Sequence, residues 1–575
     1  MRAQIDSIRR WALLLAQLVP AVAFGFTVVT AAQAAAADEA VLPQPFAFRD
    51  VGTERGTLPQ LSGMRAHGAA WGDLNGDGWP ELFVTTFHNS GSGPAVLLRN
   101  NHGKFSVDPQ PVTHTSGCGS GALMVDLTNN GRLDLYVSNC AHGSRDPVLS
   151  NPSILLRNDG DGRLSDVSAQ SNACPTDFAG RGVAALDYDG DGLLDLLCSD
   201  RYYGDVTHGL TLYRNLGGHK FENVTAKMGL PAKFSGLAAS AGDVNGDLLP
   251  DIFATEGQGD CRLYLNAGVQ GFREAPGTRE VFHFPCPTSS DCPAGVSFGD
   301  VNRDGLVDVV VGSHFKRPWF APVPVRLYLN RGGRDGNPKF EEVTAAAGLH
   351  PLLMKSPHIE LQDFDNDGWP DLYVSIVKFR DGRPYPLIYR NLGVRDGLPQ
   401  FRETVWGIND FPNASDTELR GGTRAFYAKV LADKKVTYSA AAPTADFDRD
   451  GRLDLVLGTW SIEESCLLLH NETPGGHWLE VQVEGTGQVN RMGIGSRVRV
   501  TRARGSAPPE LIGQREIAIG FGYCSGQEAV AHFGLGELDE VDVEVLLPHG
   551  RGRIERKGVR ADQRITLKSA DARPQ

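Results

Sequence analysis

The chain has 575 residues, enough for about four domains of ordinary size, or fewer if one is a large all-β fold. Lys and Arg number 56 against 69 Asp and Glu, a net charge of −13 with 8% aromatic residues, which argues against a positively lined nucleic-acid groove. Glycine (68) and proline (34) are too frequent for a helical protein and too sparse for a low-complexity one, so turns must be common.

The N-terminal 37 residues read as a secretory signal. Arg9 and Arg10 form a basic start, Trp11 to Val29 is almost wholly apolar, and Ala32-Gln33-Ala34 fits a small-residue cleavage site. Gln17, Pro20 and Gly25 interrupt the apolar stretch, which disfavours an uncleaved anchor. No other stretch is long and apolar enough to span a bilayer, so a secreted or periplasmic, extracellular-facing product with no membrane span is expected. Nine cysteines without a CxxC pair fit an oxidising compartment better than a metal or redox site. Cys286 and Cys292, which enclose a five-residue loop, are the first choice for a local disulfide, and Cys118 with Cys140 the second.

Internal repetition then decides the architecture. Seven segments share a nine-position acidic pattern with oxygen side chains at positions 1, 3, 5 and 9: Asp73, Asn75, Asp77 and Glu81; Asp126, Thr128, Asn130 and Asp134; Asp187, Asp189, Asp191 and Asp195; Asp243, Asn245, Asp247 and Asp251; Asp300, Asn302, Asp304 and Asp308; Asp363, Asp365, Asp367 and Asp371; and Asp446, Asp448, Asp450 and Asp454. Their starts are 53, 61, 56, 57, 63 and 83 residues apart. A short apolar run ending in Asn follows each (Asn100, Asn158, Asn215, Asn266, Asn330, Asn391 and Asn471). A run opening with Phe or Leu keeps the same step (Phe48, Phe105, Leu164, Phe221, Phe272, Phe340 and Phe401).

Flanking runs such as Leu82-Phe83-Val84 and Val309-Val310-Val311 are strand-like. A unit of 55–60 residues with four short strands cannot bury both faces alone, whereas seven stacked in a ring can. The expected fold is all-β: a seven-bladed β-propeller over 38–472, a small C-terminal β domain over 473–570, and a tail, 571–575. The Phe48 strand precedes the first loop, so it should close the ring by pairing with the last blade. The long gap before Asp446 places an insertion at 406–442, whose aromatics Trp406, Phe411, Phe426 and Tyr427 are candidate partner contacts, or else pack against blade seven.

Calcium takes six to eight oxygen ligands, and alternate positions of a tight loop can aim several at one centre. A ligand at position 9 rather than 12, with no flanking helices, separates these loops from EF-hands. One Asp-Asn-Gly cluster would be read as a hairpin turn; seven in register point to Ca2+, five to seven ions in all. The Asp126 loop, with two carboxylates, and the Asp243 loop, with Leu248 in place of glycine, are the weak ones. The loops hold 23 carboxylates, a third of all acids, whose mutual repulsion cations would relieve.

With these residues quoted, the loops resemble FG-GAP/VCBS repeats, the units of the integrin α-chain propeller, over about residues 46–471. Further on, His477-Trp478-Leu479, Asn490-Arg491, Ile494-Gly495, Gly522-Tyr523, Ser525 and His532-Phe533-Gly534-Leu535-Gly536 closely resemble the ASPIC/UnbV domain, so that the whole chain is similar to the cartilage acidic protein family. Gly526 stands where that family more often has Gln. The resemblance implies an extracellular calcium-binding propeller used in adhesion or matrix interaction, with an extracellular protein or glycan as partner. The alternative is a secreted enzyme on the same scaffold, a polysaccharide hydrolase or lyase or a biosynthetic enzyme. Its carboxylates would have to lie outside the loops, no HExxH or GxSxG motif appears, and His67, His358 and His532 read as structural.

Overall fold

The computed structural model describes residues 44–574 apart from 88–91, 115–116, 140–151, 176–179, 201–208, 232, 235, 287–290, 316–317, 319–320, 412, 414–421 and 504–509. The expected signal segment and Cys140 lie outside the described residues.

Each acidic loop joins the first two strands of a four-stranded antiparallel sheet. In blade one these strands are Ala66–Gly72, Glu81–Thr86, Val96–Asn101 and Lys104–Val107. The next five sheets repeat the order from first strands Gly119–Val125, Gly180–Leu186, Gly236–Gly242, Cys292–Gly299 and Ile359–Gln362. Blade seven takes Thr444–Ala445, Asp454–Leu457 and Leu467–Asn471 from its own repeat and its outer strand from Phe48–Asp50, with Phe48 opposite Asn471 and Asp50 opposite Leu469. The N-terminal strand therefore closes a ring of seven blades, as the order of Phe48 and Asp73 implied.

First strands are rich in Gly and Ala because they converge on the axis of the ring. A Cβ on Gly68 would sit 2.2 Å from the Ser120 carbonyl oxygen of blade two. Larger apolar side chains lie outward, between sheets: Trp71, Phe447 and Val456 fill the gap between blades seven and one, where the Trp71 indole donates to the Pro443 carbonyl at 3.1 Å.

The Asn that ends each third strand ties neighbouring blades together. Asn391 donates from Nδ2 to Pro370 O in its own loop (3.1 Å) and to Val301 O in the loop of blade five (2.9 Å). The same pair of bonds recurs from Asn158, Asn215, Asn266, Asn330 and Asn471. Asn100 of blade one reaches Phe447 O of blade seven at 2.9 Å, so the series of ties is itself circular.

The C-terminal domain contains one sheet of His477–Glu484 between Ala531–Gly536 and Gln563–Lys568, and a second in the order Leu511–Glu516, Arg497–Arg502, Glu540–Leu546, Arg553–Arg560. Its segment 520–527 enters the middle of the ring. Ser525–Gly526 pairs in parallel with Ala69 and Ala70, and Gly522 exchanges both backbone bonds with Val296 of blade five (2.7 and 3.0 Å). Tyr523 and Cys524 pack against Leu237, Ala238, Ala294 and Ala441.

Two expectations are corrected. The 406–442 insertion builds chiefly on blade six, while its end also meets blade seven through the Ser439–Thr459 bridge and the bond from Thr437 Oγ1 to Glu464 (2.9 Å). The second strand of blade six, Asp371–Arg380, has ten residues against six or seven in blades one to five, and Val436–Tyr438 pairs with its overhang. Phe411, Phe426 and Val430, the last two on the helix Gly422–Asp433, join the blade-six core, so of the four expected contact aromatics Trp406 alone is exposed. The Cys286–Cys292 disulfide is not formed. Cys292 is held in the first strand of blade five with its Sγ directed to His314 O (3.7 Å), while Cys286 Sγ is directed to Phe284 O (3.3 Å).

Candidate metal centres

All seven loops share one backbone conformation. The position-1 carboxylate accepts the amide of position 6: Gly78 to Asp73, Gly131 to Asp126, Gly192 to Asp187, Leu248 to Asp243, Gly305 to Asp300, Gly368 to Asp363 and Gly451 to Asp446, at 2.7–3.0 Å. Position 6 has positive φ throughout, which glycine adopts freely; Leu248 holds the same turn at φ 67 with a strained backbone. The position-5 oxygen, from Asp77, Asn130, Asp191, Asp247, Asp304, Asp367 or Asp450, accepts the amide of position 7.

Position 9 anchors the loop to its blade. One oxygen of Glu81, Asp134, Asp195, Asp251, Asp308, Asp371 or Asp454 accepts the position-2 amide. The other accepts the backbone N–H of the strand-ending Asn. All seven carboxylates are buried.

Three loops bring three carboxylate oxygens within 4.8 Å of one another: Asp187, Asp189 and Asp195; Asp363, Asp365 and Asp371; Asp446, Asp448 and Asp454. Position 3 leaves buried oxygens without hydrogen-bond partners at Thr128 Oγ1, Asp365 Oδ1 and Asp448 Oδ1. Burial pushes Glu81 and Asp187 up to about 7 and Asp300 to about 6, and holds Asp195, Asp251, Asp308, Asp371 and Asp454 well above the usual carboxylate range. In blade six the neighbouring acids add to it, Asp367 rising to about 6 through burial and then Asp365. Buried, mutually repelling carboxylates with spare oxygens suit a hard divalent cation. The loops at Asp187, Asp363 and Asp446 hold the oxygen sets for one, and a bound cation would compete there with Arg214 on Asp189 (2.7 Å), Arg390 on Asp365 (3.1 Å) and Arg55 on Asp448 (2.9 Å). In the loops at Asp73 and Asp300 the Asn75 and Asn302 amides donate to Asp77 and Asp304 (both 2.9 Å), so these side chains must turn their oxygens inward to serve.

Side chains from outside the acidic pattern also meet the two weak loops. His219 Nε2 lies 2.9 Å from Asp134 Oδ2, and Arg497 of the C-terminal domain binds Asp243 Oδ2, while Glu516 accepts the Asp243 amide at 2.8 Å. His470 also approaches Asp448 and Asp450 (3.3 and 3.2 Å). Nothing in the repeat pattern singled out His219, Arg497 or His470. His219 and His470 fall within the repeats but off the acidic pattern, and Arg497 comes from another domain.

The C-terminal domain sits on the acidic face. Arg491 N bonds Asn129 Oδ1 (2.8 Å), His549 Nε2 meets Asp187 O (2.8 Å), Gln514 bonds Gly305 O (3.2 Å) and His532 Nε2 meets Asn366 Oδ1 (2.8 Å). Arg449, at position 4 of the last loop, joins Glu528 (3.0 Å) to Gly78 O of the first (2.8 Å). With Arg497 on Asp243, this face is largely spent on an intramolecular contact.

His67, His358 and His532 are all buried. His358 lies between Ser525 Oγ (Nδ1, 3.1 Å) and Glu360 Oε1 (Nε2, 3.2 Å), but its Nδ1 also accepts the Tyr523 amide at 3.1 Å, so it fastens the central segment.

A family described as FG-GAP-like repeat matches residues 73–137, 145–198 and 243–311, and one described as ASPIC and UnbV matches 485–574. The chain is similar to cartilage acidic protein 1 of Mus musculus, 25% identical over 510 residues covering 84% of this chain and 71% of that protein. The Homo sapiens protein is 25% identical over 510 residues (84% and 69%), and that of Xenopus tropicalis 24% over 512 (84% and 70%). Solved structures with some likeness include AofleA from Arthrobotrys oligospora (TM-score 0.31, 12% identity, 59% of this chain and 87% of that one) and YCF48 bound to D1 peptide (0.37, 11%, 75% and 97%). The propeller assignment rests on the strand pairing and the circular asparagine ties. The chain thus carries FG-GAP-like repeats and an ASPIC/UnbV domain, and has cartilage acidic protein 1 as a homologue over most of its length.

Proposed function

We propose that this chain is a secreted, calcium-binding propeller that serves as an adhesion or interaction module for an extracellular protein or glycan. The observation that carries the calcium reading is the convergence of three carboxylates in each of three loops, all three buried in the Asp363 loop and two of three in the Asp187 and Asp446 loops; the Asp363 and Asp446 loops also leave a position-3 oxygen unpartnered. Ions here would be structural: they would neutralise the loops that anchor every blade and on which the C-terminal domain rests. Five to seven ions are expected, with the Asp126 and Asp243 loops weakest, the first because it has only two carboxylates and the second because Leu248 stands at the turn and Arg497 binds Asp243. Since the acidic face is engaged by the C-terminal domain, partners are expected on the opposite face and the rim.

Calcium titration calorimetry on the mature chain, paired with thermal melts in calcium and in chelator, tests this. Five or more ions with a large loss of stability on chelation support it; one ion or none sinks it. The enzyme reading has one observation in its favour, the Ser525–His358–Glu360 line. All three are buried, Ser525 within the central segment itself, and His358 Nδ1 is shared with a backbone amide, which gives the line a fastening role.

A further inference from the structure

The face opposite the acidic loops carries a cavity of about 570 Å3 at the outer end of blade six, within the roughly 300–1,000 Å3 typical of small-ligand sites. Strand alternation fixes its side. The acidic loops join first strands to second, whereas the chain leaves each fourth strand at the other end, and the cavity lies where Leu398–Glu403 gives way to the insertion. At its mouth stands Trp406, 65% exposed, where few large apolar side chains among the described residues are exposed.

This exposure is on a fixed backbone. Arg380 donates from Nε to Ile408 O at 2.7 Å and also bonds Gly407 O, and Asn409 Nδ2 donates to Phe379 O (2.9 Å) and Lys435 O (3.1 Å). The His350 ring meets the indole edge-on at 5.9 Å. A pinned segment displaying an indole has met the ordering cost of binding in advance. Inside the cavity Glu403, 7% exposed, holds His350 Nε2 at 2.7 Å with one oxygen and faces Lys378 Nζ at 3.8 Å with the other.

We propose that this cavity is a binding site for a neutral saccharide. The proposal deepens the interaction-module reading by choosing the glycan over the protein. An indole presents an apolar face to the C–H surface of a pyranose ring while its surroundings stay wet. Glu403 offers acceptors and Lys378 and His350 donors for hydroxyl groups. Each of its two acids faces a lysine, Glu403 facing Lys378 (3.8 Å) and Asp410 facing Lys435 (4.0 Å), so the cavity has little net field to select an anion or a cation. The buried Glu403 carboxylate fixes orientation and Trp406 supplies contact area, a division of labour that a flat protein-binding patch does not need.

The test is a tryptophan-fluorescence and calorimetric titration of the mature full-length protein in calcium with cellohexaose, laminarihexaose, chitohexaose, mannohexaose and xylohexaose. Saturable binding of at least one is expected, weakened tenfold or more in Trp406→Ala, whose melting temperature should match the parent, and in Glu403→Gln, with calcium stoichiometry unchanged in both. No binding by any of the five, or binding indifferent to both substitutions, overturns the saccharide site. The calcium stoichiometry from the same preparation shows separately whether the calcium scaffold stands.

Discussion

Replacing Asn391 by alanine tests whether the asparagine ring ties the blades. Asn391 is fully buried and makes three side-chain bonds: to Val301 O in blade five (2.9 Å), to Pro370 O (3.1 Å), and from Gly393 N to its Oδ1 (3.0 Å). At about 1 kcal/mol net for each bond, and somewhat more for two carbonyls left dry, the loss comes to about 3–4 kcal/mol. An unfolding entropy of about 2.1 cal/mol/K per residue over some 530 residues makes that a fall in Tm of about 3–4 °C for a cooperative chain. Urea unfolding followed by fluorescence should show the same loss as a lower midpoint at unchanged slope. Asn391→Asp keeps the acceptor for Gly393 but turns an anion on two carbonyls, and should be worse than alanine. If Asn391→Ala melts within half a degree of the parent, or no lower than the exposed control Asn101→Ala, the ties do not hold the ring.

Three further outcomes are expected. Arg497→Ala strips the guanidinium from Asp243, whose side chain is 3% exposed, and should destabilise the docked C-terminal domain by about 3–5 kcal/mol, read by limited proteolysis; at high calcium it should bind one ion more than the parent. In chelator, stability should fall as pH rises from 5 to 8. Glu81 and Asp187 titrate at about 7 and Asp300 at about 6 when folded, so the folded state binds more protons than the unfolded chain, whose carboxylates titrate near about 4. A melt that instead rises across that range would refute the carboxylate assignment. Gly522→Ala, at φ 72 with its Cβ 2.6 Å from the His358 ring, should cost about 2 kcal/mol or more and loosen the central segment, seen as faster amide exchange at Tyr523 and Cys524.

The repeat pattern made the ring legible because register is set locally. Each acidic loop, strand-ending Asn and Phe-led strand recurs in step, and the position of Phe48 ahead of Asp73 already implied the closing strand. The pattern also marked the strand-ending Asn without revealing its task, since Val301 O lies 90 residues from Asn391. Long-range compensation left no local trace: Arg497 reaches Asp243 across 254 positions, and His219 reaches Asp134 across 85. The insertion misled for a similar reason. Its length was visible, but its attachment depends on the overhang of Asp371–Arg380, which reads as an ordinary apolar strand. Cysteine spacing misled because a six-residue separation says nothing of where Sγ atoms point once Cys292 is fixed in a strand.

The circular arrangement also has a temporal side. Phe48–Asp50 is made first and finds its partner in Leu467–Asn471, over 400 residues later, and the segment that fills the axis comes later still, at 520–527. Six blades can therefore collapse while the first strand and the axis wait, exposing an unpaired edge on blade seven and a hollow centre. Completion is a late event of high sequence separation, slow by loop-closure entropy, and it falls at once on both ends of the molecule. Truncation before residue 520 should accordingly leave a chain that still closes its ring through Phe48–Asp50 but keeps a hollow axis, with the inner edge at Ala69 and Ala70 unpaired.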